Sequence, residues 1–326
     1  MRRLAIIGVA VAFWAAGCGE DTPTAPDDGK PGPNPNSVWK IAYEVDIETA
    51  DYFSDLWFTG PRDGWACGDD KLFHYDGDEW SVWRVFEGGQ SRWLLTLNAV
   101  CVLGPNDIWV GGSNYRHSEK PRLFHFNGSS WEYYYLEGLE EVKDIFFVAP
   151  DKGWACGDDG IFYYDGTGWT RQRDGYFCSL SMLRPDYGWA GGDDLLAWDG
   201  SEWRSLGFSS PAVKISQILL NSPTEGWVIG GRGGDTGILY HYDGSSWTPI
   251  QWRYGSFDSG AFASRGYGWL ATDTTSIFYD HGELKPYAWP FPYLTVTSFW
   301  INAEDDVWAA GSYYRTHIFH FSGFRD

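Results

Sequence analysis

The sequence predicts an all-β fold: a seven-bladed β-propeller of four-stranded antiparallel blades, the last closed by an N-terminal strand. Three observations carry this expectation. Aromatics are 19% of the 326 residues, with 21 Trp, and Gly reaches 41, so flat packing side chains and turn formers dominate. No long run shows the 3.6-residue period of a helix. A unit of about forty residues recurs seven times along the chain.

Each repeat is anchored by one tryptophan: Trp65, Trp109, Trp154, Trp189, Trp227, Trp269 and Trp308. They are spaced 44, 45, 35, 38, 42 and 39 residues apart. Clear copies read GWACGDDKLFHYDGDEW, GWACGDDGIFYYDGTGW and GWAGGDDLLAWDGSEW, while the sixth decays to GWLATDTTSIFYDHGEL. Four strands fit each unit. Strand a is the apolar stretch before a short turn, as in Asp144-Ile-Phe-Phe-Val148. Strand b carries the anchor, and strand c is an aromatic run. Asp-Gly then turns into strand d, which starts at a closing tryptophan: Trp80, Trp131, Trp169, Trp203 or Trp247. One such sheet cannot fold alone. Closing a ring packs both faces of every sheet on neighbours.

The seventh copy stops at Phe321-Ser-Gly-Phe-Arg-Asp326, where its strand d is due. The stretch Asn36-Ser-Val-Trp39-Lys-Ile-Ala-Tyr43 matches Ser245-Ser-Trp247-Thr-Pro-Ile250. Residues 38–45 are therefore expected to complete blade seven, with Trp39 as its anchor, and 37–326 to form one domain. The repeat resembles kelch repeats through Ile229-Gly-Gly231, Tyr242 and Trp247. It resembles the Asp-box of sialidase-like propellers through Asp-Gly-x-x-Trp. The kelch Tyr-to-Trp gap is normally longer, and the Asp-box has a residue between Asp and Gly that is absent here.

Ahead of the repeats, Arg2 and Arg3 precede an apolar run that ends at Cys18. That is the build of a secretory signal, and the run is short for a membrane span. Ala15-Ala16-Gly17-Cys18 resembles the lipobox of bacterial lipoproteins, with Ala15 where the family prefers Leu. The resemblance implies removal of 1–17 and lipidation of Cys18. Gly19, rather than Asp, follows the cysteine, which in that family favours the outer membrane; which side of it is left open. Residues 18–36 then read as a lipidated cysteine and a Pro/Gly/Asp tether unable to bury a core.

With 24 basic against 44 acidic residues the net charge is −20, which repels nucleic acid and anionic headgroups. The membrane is thus contacted through the lipid alone. Cys67, Cys101, Cys156 and Cys178 leave two alternatives: bridges Cys67–Cys101 and Cys156–Cys178, or small buried side chains. The Gly-Asp-Asp turns at Asp69-Asp70, Asp158-Asp159 and Asp193-Asp194 read as hairpin turns rather than Ca²⁺ loops, since three separate blades do not converge on one ion. No metal spacing, P-loop or GxSxG occurs, and no cofactor is expected. Sialidase-like chemistry would need clustered arginines, and these are scattered.

The d–a and b–c connections vary while the a–b and c–d turns repeat. Fold precedent places binding on the variable face. The two longest connections are read as 86–98 and 111–122. They contribute Arg92, Trp93, Tyr115, Arg116 and His117. Arg232, Tyr254, Trp289, Tyr293, Tyr313, Tyr314 and Arg315 complete a Tyr/Arg/Trp set of the kind that dominates protein contacts and stacks on sugars. The leading expectation is a monomeric, non-catalytic binding module for an envelope protein or glycan. The alternatives are an assembly component of the envelope and a glycan-active enzyme.

Overall fold

The computed structural model describes residues 37–45, 52–86, 95–113, 122–208, 214–232, 236–252, 255–263, 266–272, 274–291, 294–313 and 315–324. Among them, 28 strands form seven four-stranded antiparallel sheets. After β1 (Lys40–Glu44), blade 1 is β2 (Asp55–Gly60), β3 (Asp63–Gly68), β4 (Lys71–Tyr75) and β5 (Trp80–Val85). Blade 2 is β6 (Thr96–Gly104), β7 (Asp107–Ser113), β8 (Leu123–Phe126) and β9 (Trp131–Tyr134). Blade 3 is β10 (Val142–Ala149), β11 (Lys152–Gly157), β12 (Gly160–Tyr164) and β13 (Trp169–Arg173). Blade 4 is β14 (Phe177–Arg184), β15 (Tyr187–Gly192), β16 (Leu195–Trp198) and β17 (Trp203–Ser205). Blade 5 is β18 (Lys214–Ser222), β19 (Glu225–Arg232), β20 (Thr236–Tyr242) and β21 (Trp247–Trp252). Blade 6 is β22 (Ser259–Ala263), β23 (Tyr267–Ala271), β24 (Thr275–Asp280) and β25 (Glu283–Ala288). Blade 7 is β26 (Thr295–Ala303), β27 (Asp306–Tyr313), β28 (Arg315–Phe321) and, last in its sheet, β1.

The strands a touch one another in sequence around the ring, from β2 through β26 and back to β2. They therefore line the axis, and the strands d form the rim. Seven hydrophobic clusters fill the seven gaps between blades. Each contains one anchoring tryptophan, pointed from its own blade toward the next. All seven anchors are at most 4% exposed. This is the inter-blade packing that the repeat predicted, at about 150–250 Å² of buried surface per ring.

The glycine before the anchor makes that packing possible. A Cβ on Gly64, Gly153 or Gly268 would lie 2.4, 2.3 or 2.4 Å from the ring of Phe58, Phe147 or Phe262 on strand a of the same blade. Where Ile108 and Val307 replace the glycine, the strand a partners opposite are the smaller Val102 and Ile301. In the c–d turns, Gly77, Gly128, Gly166, Gly200 and Gly244 have φ of +87° to +96°, which an L side chain resists. The Asp or Asn before each accepts, through Oδ1, the N–H groups two and three residues ahead at 2.8–3.1 Å. The Ser201 hydroxyl, then the Glu202 and Ser201 amides, hold the Asp199 carboxyl down at about 2.

Blade 7 closes as expected. β1 pairs antiparallel with β28, from Lys40 opposite His320 to Glu44 opposite His317. Trp39, 2% exposed, meets Trp269 and Trp289 at 5.0 Å, Phe321 at 5.7 Å and Phe299 at 5.9 Å. Its Nε1 donates to Ser276 Oγ at 3.2 Å. Gly323, at φ +92°, packs on Asp305 as Gly200 packs on Asp186. Ser322-Gly323 is thus the first half of a c–d turn whose second half, Ser37-Val38-Trp39, comes from the other end of the chain.

Two expectations are corrected. Trp289 is not on the variable face: it is 2% exposed and packs with Trp39 in the closing gap. The long connections are shorter than read, because Thr96–Asn98 and Gly111–Ser113 belong to β6 and β7. Of the two alternatives left open for the cysteines, the structure has the unbridged one, all four being free thiols. Successive residues of β6 face opposite sides of the sheet. Val100 and Val102 fill the gap that holds Cys67, while Cys101 points into the next gap beside Trp109. Cys178 likewise turns from Cys156 toward blade 5, where its Sγ lies 3.4 Å from the Ile215 carbonyl.

Candidate functional site

The axial channel is where seven chain segments converge. Near its d–a end every strand a carries a bulge. In blades 2, 3, 4, 5 and 7 the register shifts at Leu97/Ala99, Val142/Asp144, Phe177/Ser179, Ile215/Gln217 and Val296/Ser298. In blades 1 and 6, Ser54 and Asp258 donate to the carbonyls of Cys67 and Ala271, the same residues that Asp55 and Ser259 already face. A bulge turns two consecutive side chains toward the axis and the next blade.

Those side chains stitch the ring together. Asp55 accepts from Val100 N at 3.0 Å, and Asn98 Nδ2 donates to the Val142 carbonyl at 3.0 Å. Asp144 accepts from Leu180 N at 2.7 Å, Ser179 Oγ from Ile218 N at 3.1 Å, and Gln217 Oε1 from Gly260 N at 2.9 Å. Ser259 donates to the Val296 carbonyl at 3.1 Å. Ser298 Oγ accepts from Leu56 N at 3.2 Å and donates to Asp55 Oδ1 at 3.0 Å, which closes the circle. Every step joins one blade to the next.

Burial pushes the Asp55 carboxyl up to about 6, against the pull of its N–H and hydroxyl donors. Burial first, and the Asp55 charge second, push Asp144 up to about 8. These two acids resemble a catalytic pair in their titration only. Asp55 Oδ1 also takes the N–H of Leu56, and Asp144 Oδ1 that of Ile145, so each carboxyl is engaged through both oxygens. Below this ring, half-buried Trp57 reaches across the axis to Phe146 at 5.7 Å and meets Trp300 at 5.2 Å. The channel is thereby floored on the a–b side. At its mouth stand the Glu141–Lys143 ion pair at 2.6 Å and Tyr176, whose phenol burial lifts to about 12. Burial likewise raises the Cys178 thiol to about 11, well away from thiolate chemistry.

A second constellation escaped the sequence reading. His74, His125 and His320 stack on the anchors Trp65, Trp109 and Trp308 at 4.0–4.2 Å. Each Nε2 meets the carboxylate of Asp63, Asp107 or Asp306 at 2.6–2.9 Å. Trp109 and Trp308 donate Nε1 to the same aspartates. The signal was present as Asp-x-Trp followed by Phe-His in blades 7, 1 and 2. Three repeats of one arrangement, each with its imidazole face covered, make a fastener between strands b and c.

The variable face takes shape around the channel mouth. Arg232 and Tyr313 end β19 and β27 there, and Arg315 begins β28. Arg315 pairs with the Glu44 carboxylate, whose Oε2 also meets His317 Nε2 at 3.1 Å. Arg92, Trp93, Tyr115, Arg116, His117, Tyr254, Tyr293 and Tyr314 lie outside the described residues. The Gly-Asp-Asp turns are b–c turns at this same end. Asp158 Oδ1 accepts from Glu140 N at 3.1 Å and Glu141 N at 3.0 Å, and Asp193 Oδ2 from Tyr176 N at 3.3 Å. These aspartates cap the entry to strand a of their own blades.

No family model matches the chain, and no curated protein matches it. Solved structures do. One, described as YCF48 bound to D1 peptide, superposes with a TM-score of 0.67 at 16% identity over 90% of this chain and 99% of that one. The extracellular domain of the putative one component system BT4673 from B. thetaiotaomicron gives 0.67 at 14% identity, over 90% of this chain and 40% of that one. The WD40 β-propeller domain of Doa1 gives 0.65 at 11%, over 86% and 96%. At such identities the likeness is one of fold: the chain is a seven-bladed β-propeller.

Proposed function

We propose that this protein is a non-catalytic binding module of the bacterial cell envelope. It is held there by a lipid on Cys18 and recognises a partner protein with its d–a/b–c face. One observation carries the proposal. The chemistry-bearing groups that converge in the described channel, Asp55 and Asp144 above all, are consumed by hydrogen bonds within their own strands and between blades. They hold the ring, and burial raises the thiols near them, Cys67 beside Asp55 and Cys156 and Cys178 beside Asp144, away from the thiolate form. The propeller bound to a peptide supports the protein-binding reading as a precedent of the same fold.

The test is capture of partners from envelope extracts by the wild type and by a Tyr115→Ala/Arg116→Ala/Tyr314→Ala variant. Loss of the captured proteins in the variant is expected. Capture that survives unchanged removes the variable face from the proposal. Palmitate labelling lost in Cys18→Ser checks the anchor, and unchanged labelling rejects it.

A further inference from the structure

A propeller's rim is a row of strand edges, and open edges invite another chain. Six of the seven outer strands here are blunted. β1 carries Lys40 and a bulge at Ile41/Tyr43, and β5 is bulged opposite Leu72/Phe73. β13 carries Arg171, Arg173 and a bulge opposite Ile161/Phe162. β17 has three residues including Arg204, β21 contains Pro249, and β25 contains Lys285 and Pro286. β9, Trp-Glu-Tyr-Tyr, has no bulge, proline or basic residue. Its one charge, Glu132, is occupied by Asn127 Nδ2 and the Tyr134 hydroxyl, both at 2.8 Å.

Both flanks of β9 are shaped. Toward blade 1 lies an aromatic shelf: Trp83 is 6.0 Å from Trp131, and Phe124 is 5.6 Å from Tyr133. Trp83 and Tyr133 there are partly exposed, at 37% and 56%. Toward blade 3 opens a cavity of about 560 Å³ lined by Tyr135, Glu137, Phe162, Trp169 and Arg171. Arg171 is already paired with Asp159 at 2.9 Å and Asp174 at 3.0 Å. Residues 131–140 hold Glu132, Glu137 and Glu140 and no Lys or Arg, while Glu141 is paired with Lys143.

We infer that β9 is a docking edge that takes an extended segment of a partner protein as a fifth strand of blade 2. This rests on the binding-module reading and goes beyond it, adding a rim surface to the d–a/b–c face. In such an added strand, main-chain hydrogen bonds give affinity and alternate side chains fall on opposite flanks. Apolar residues then meet the Trp83/Tyr133 shelf, and basic residues meet the Glu137 side. A second copy of this chain is disfavoured as occupant, because each copy carries a net charge of −20.

The probe is a capped peptide of about eight residues alternating Arg and Val, compared with its Val N-methylated form and a Glu/Val counterpart. Binding is read by fluorescence anisotropy at low salt, and its place by amide hydrogen exchange. We expect the Arg/Val peptide to bind and to slow exchange in 131–135. The N-methylated and acidic peptides, and a Tyr133→Lys/Tyr135→Lys variant, should bind at least about tenfold more weakly. Both lysines sit at exposed positions, so thermal unfolding of that variant should match the wild type. No binding, equal binding of the N-methylated peptide, protection outside blade 2, or wild-type affinity in the lysine variant overturns the inference. So does a wild-type dimer that the lysine variant abolishes, or protection of 131–135 by chitohexaose instead of the peptide. Envelope partners retained by the lysine variant but lost with Tyr115, Arg116 and Tyr314 sink β9 docking alone; partners retained by both variants sink the binding face as well.

Discussion

Replacing Trp39 by alanine tests the ring closure at its most concentrated point. The side chain is 2% exposed and packs against four aromatic rings within 6 Å. A tryptophan buries about 150–250 Å², worth roughly 4–6 kcal/mol at about 25 cal/mol per Å². Measured Trp→Ala losses in cores run about 3–5 kcal/mol. The Nε1–Ser276 bond adds about 1 kcal/mol, but Ser276 Oγ keeps its contact with the Tyr287 carbonyl at 3.1 Å, so little further cost follows. Together these give about 4–5 kcal/mol. Urea denaturation followed by tryptophan fluorescence reads it as a fall in midpoint. Trp247→Ala, at the equivalent but less buried place in blade 5, should cost less. The companion test compares chains beginning at residue 35 and at residue 46. The shorter one loses β1 altogether and bares the edge of β28. A Trp39→Ala cost below about 1 kcal/mol, or equal stability of the two truncations, refutes the closure as an energetic element.

Three further outcomes are expected. Asp55 and Asp144 titrate above the ordinary carboxylate range, so the folded state binds protons that the unfolded state releases. Their contribution is full below pH about 4 and is lost as pH rises through about 6 and about 8, so wild-type stability relative to Asp144→Asn should fall across that window in thermal melts; a difference that stays flat removes the titration. Gly153→Ala drives a methyl into Phe147 and should cost about 1–3 kcal/mol, and adding Phe147→Val should cost less than the sum of the two single changes in a double-mutant cycle; strict additivity rejects the packing account. Denatured without reductant, the propeller should react with maleimide at Cys67, Cys101, Cys156 and Cys178, and any pair resistant until reduced contradicts the free thiols.

The repeat, the anchors and the closing strand were legible because each is a pattern of residue types at fixed spacing. Glycine before tryptophan, Asp-Gly before a second tryptophan, and an orphan Trp39 strand all mark backbone or packing needs that few other residues meet. What faces what was not legible. A single bulged residue in strand a reverses every side chain beyond it, so the Cys67–Cys101 pairing could not be excluded from spacing alone. Trp289 read as a loop aromatic because the sixth repeat is degenerate and hides the end of β25. The polar circle around the axis was invisible for another reason: Asp55, Asn98, Asp144, Ser179, Gln217, Ser259 and Ser298 perform one task with four residue types. The openness of β9 is a contrast among seven rims, and it emerges only once the rims are known.

The split turn of blade 7 also sets an order of events. The first strand of the propeller to be synthesised has its partner in the last, with nearly the whole chain between them. β1 must wait unpaired while six blades form from neighbouring segments, and the longest loop closure comes at the end. A chain cut short anywhere before β28 leaves Trp39 with no gap to fill and the ring with two bare edges. Closure thus acts as a length check: only a chain translated through its final strand can seal, and any shorter product stays marked for proteolysis by its open edges and unburied tryptophan.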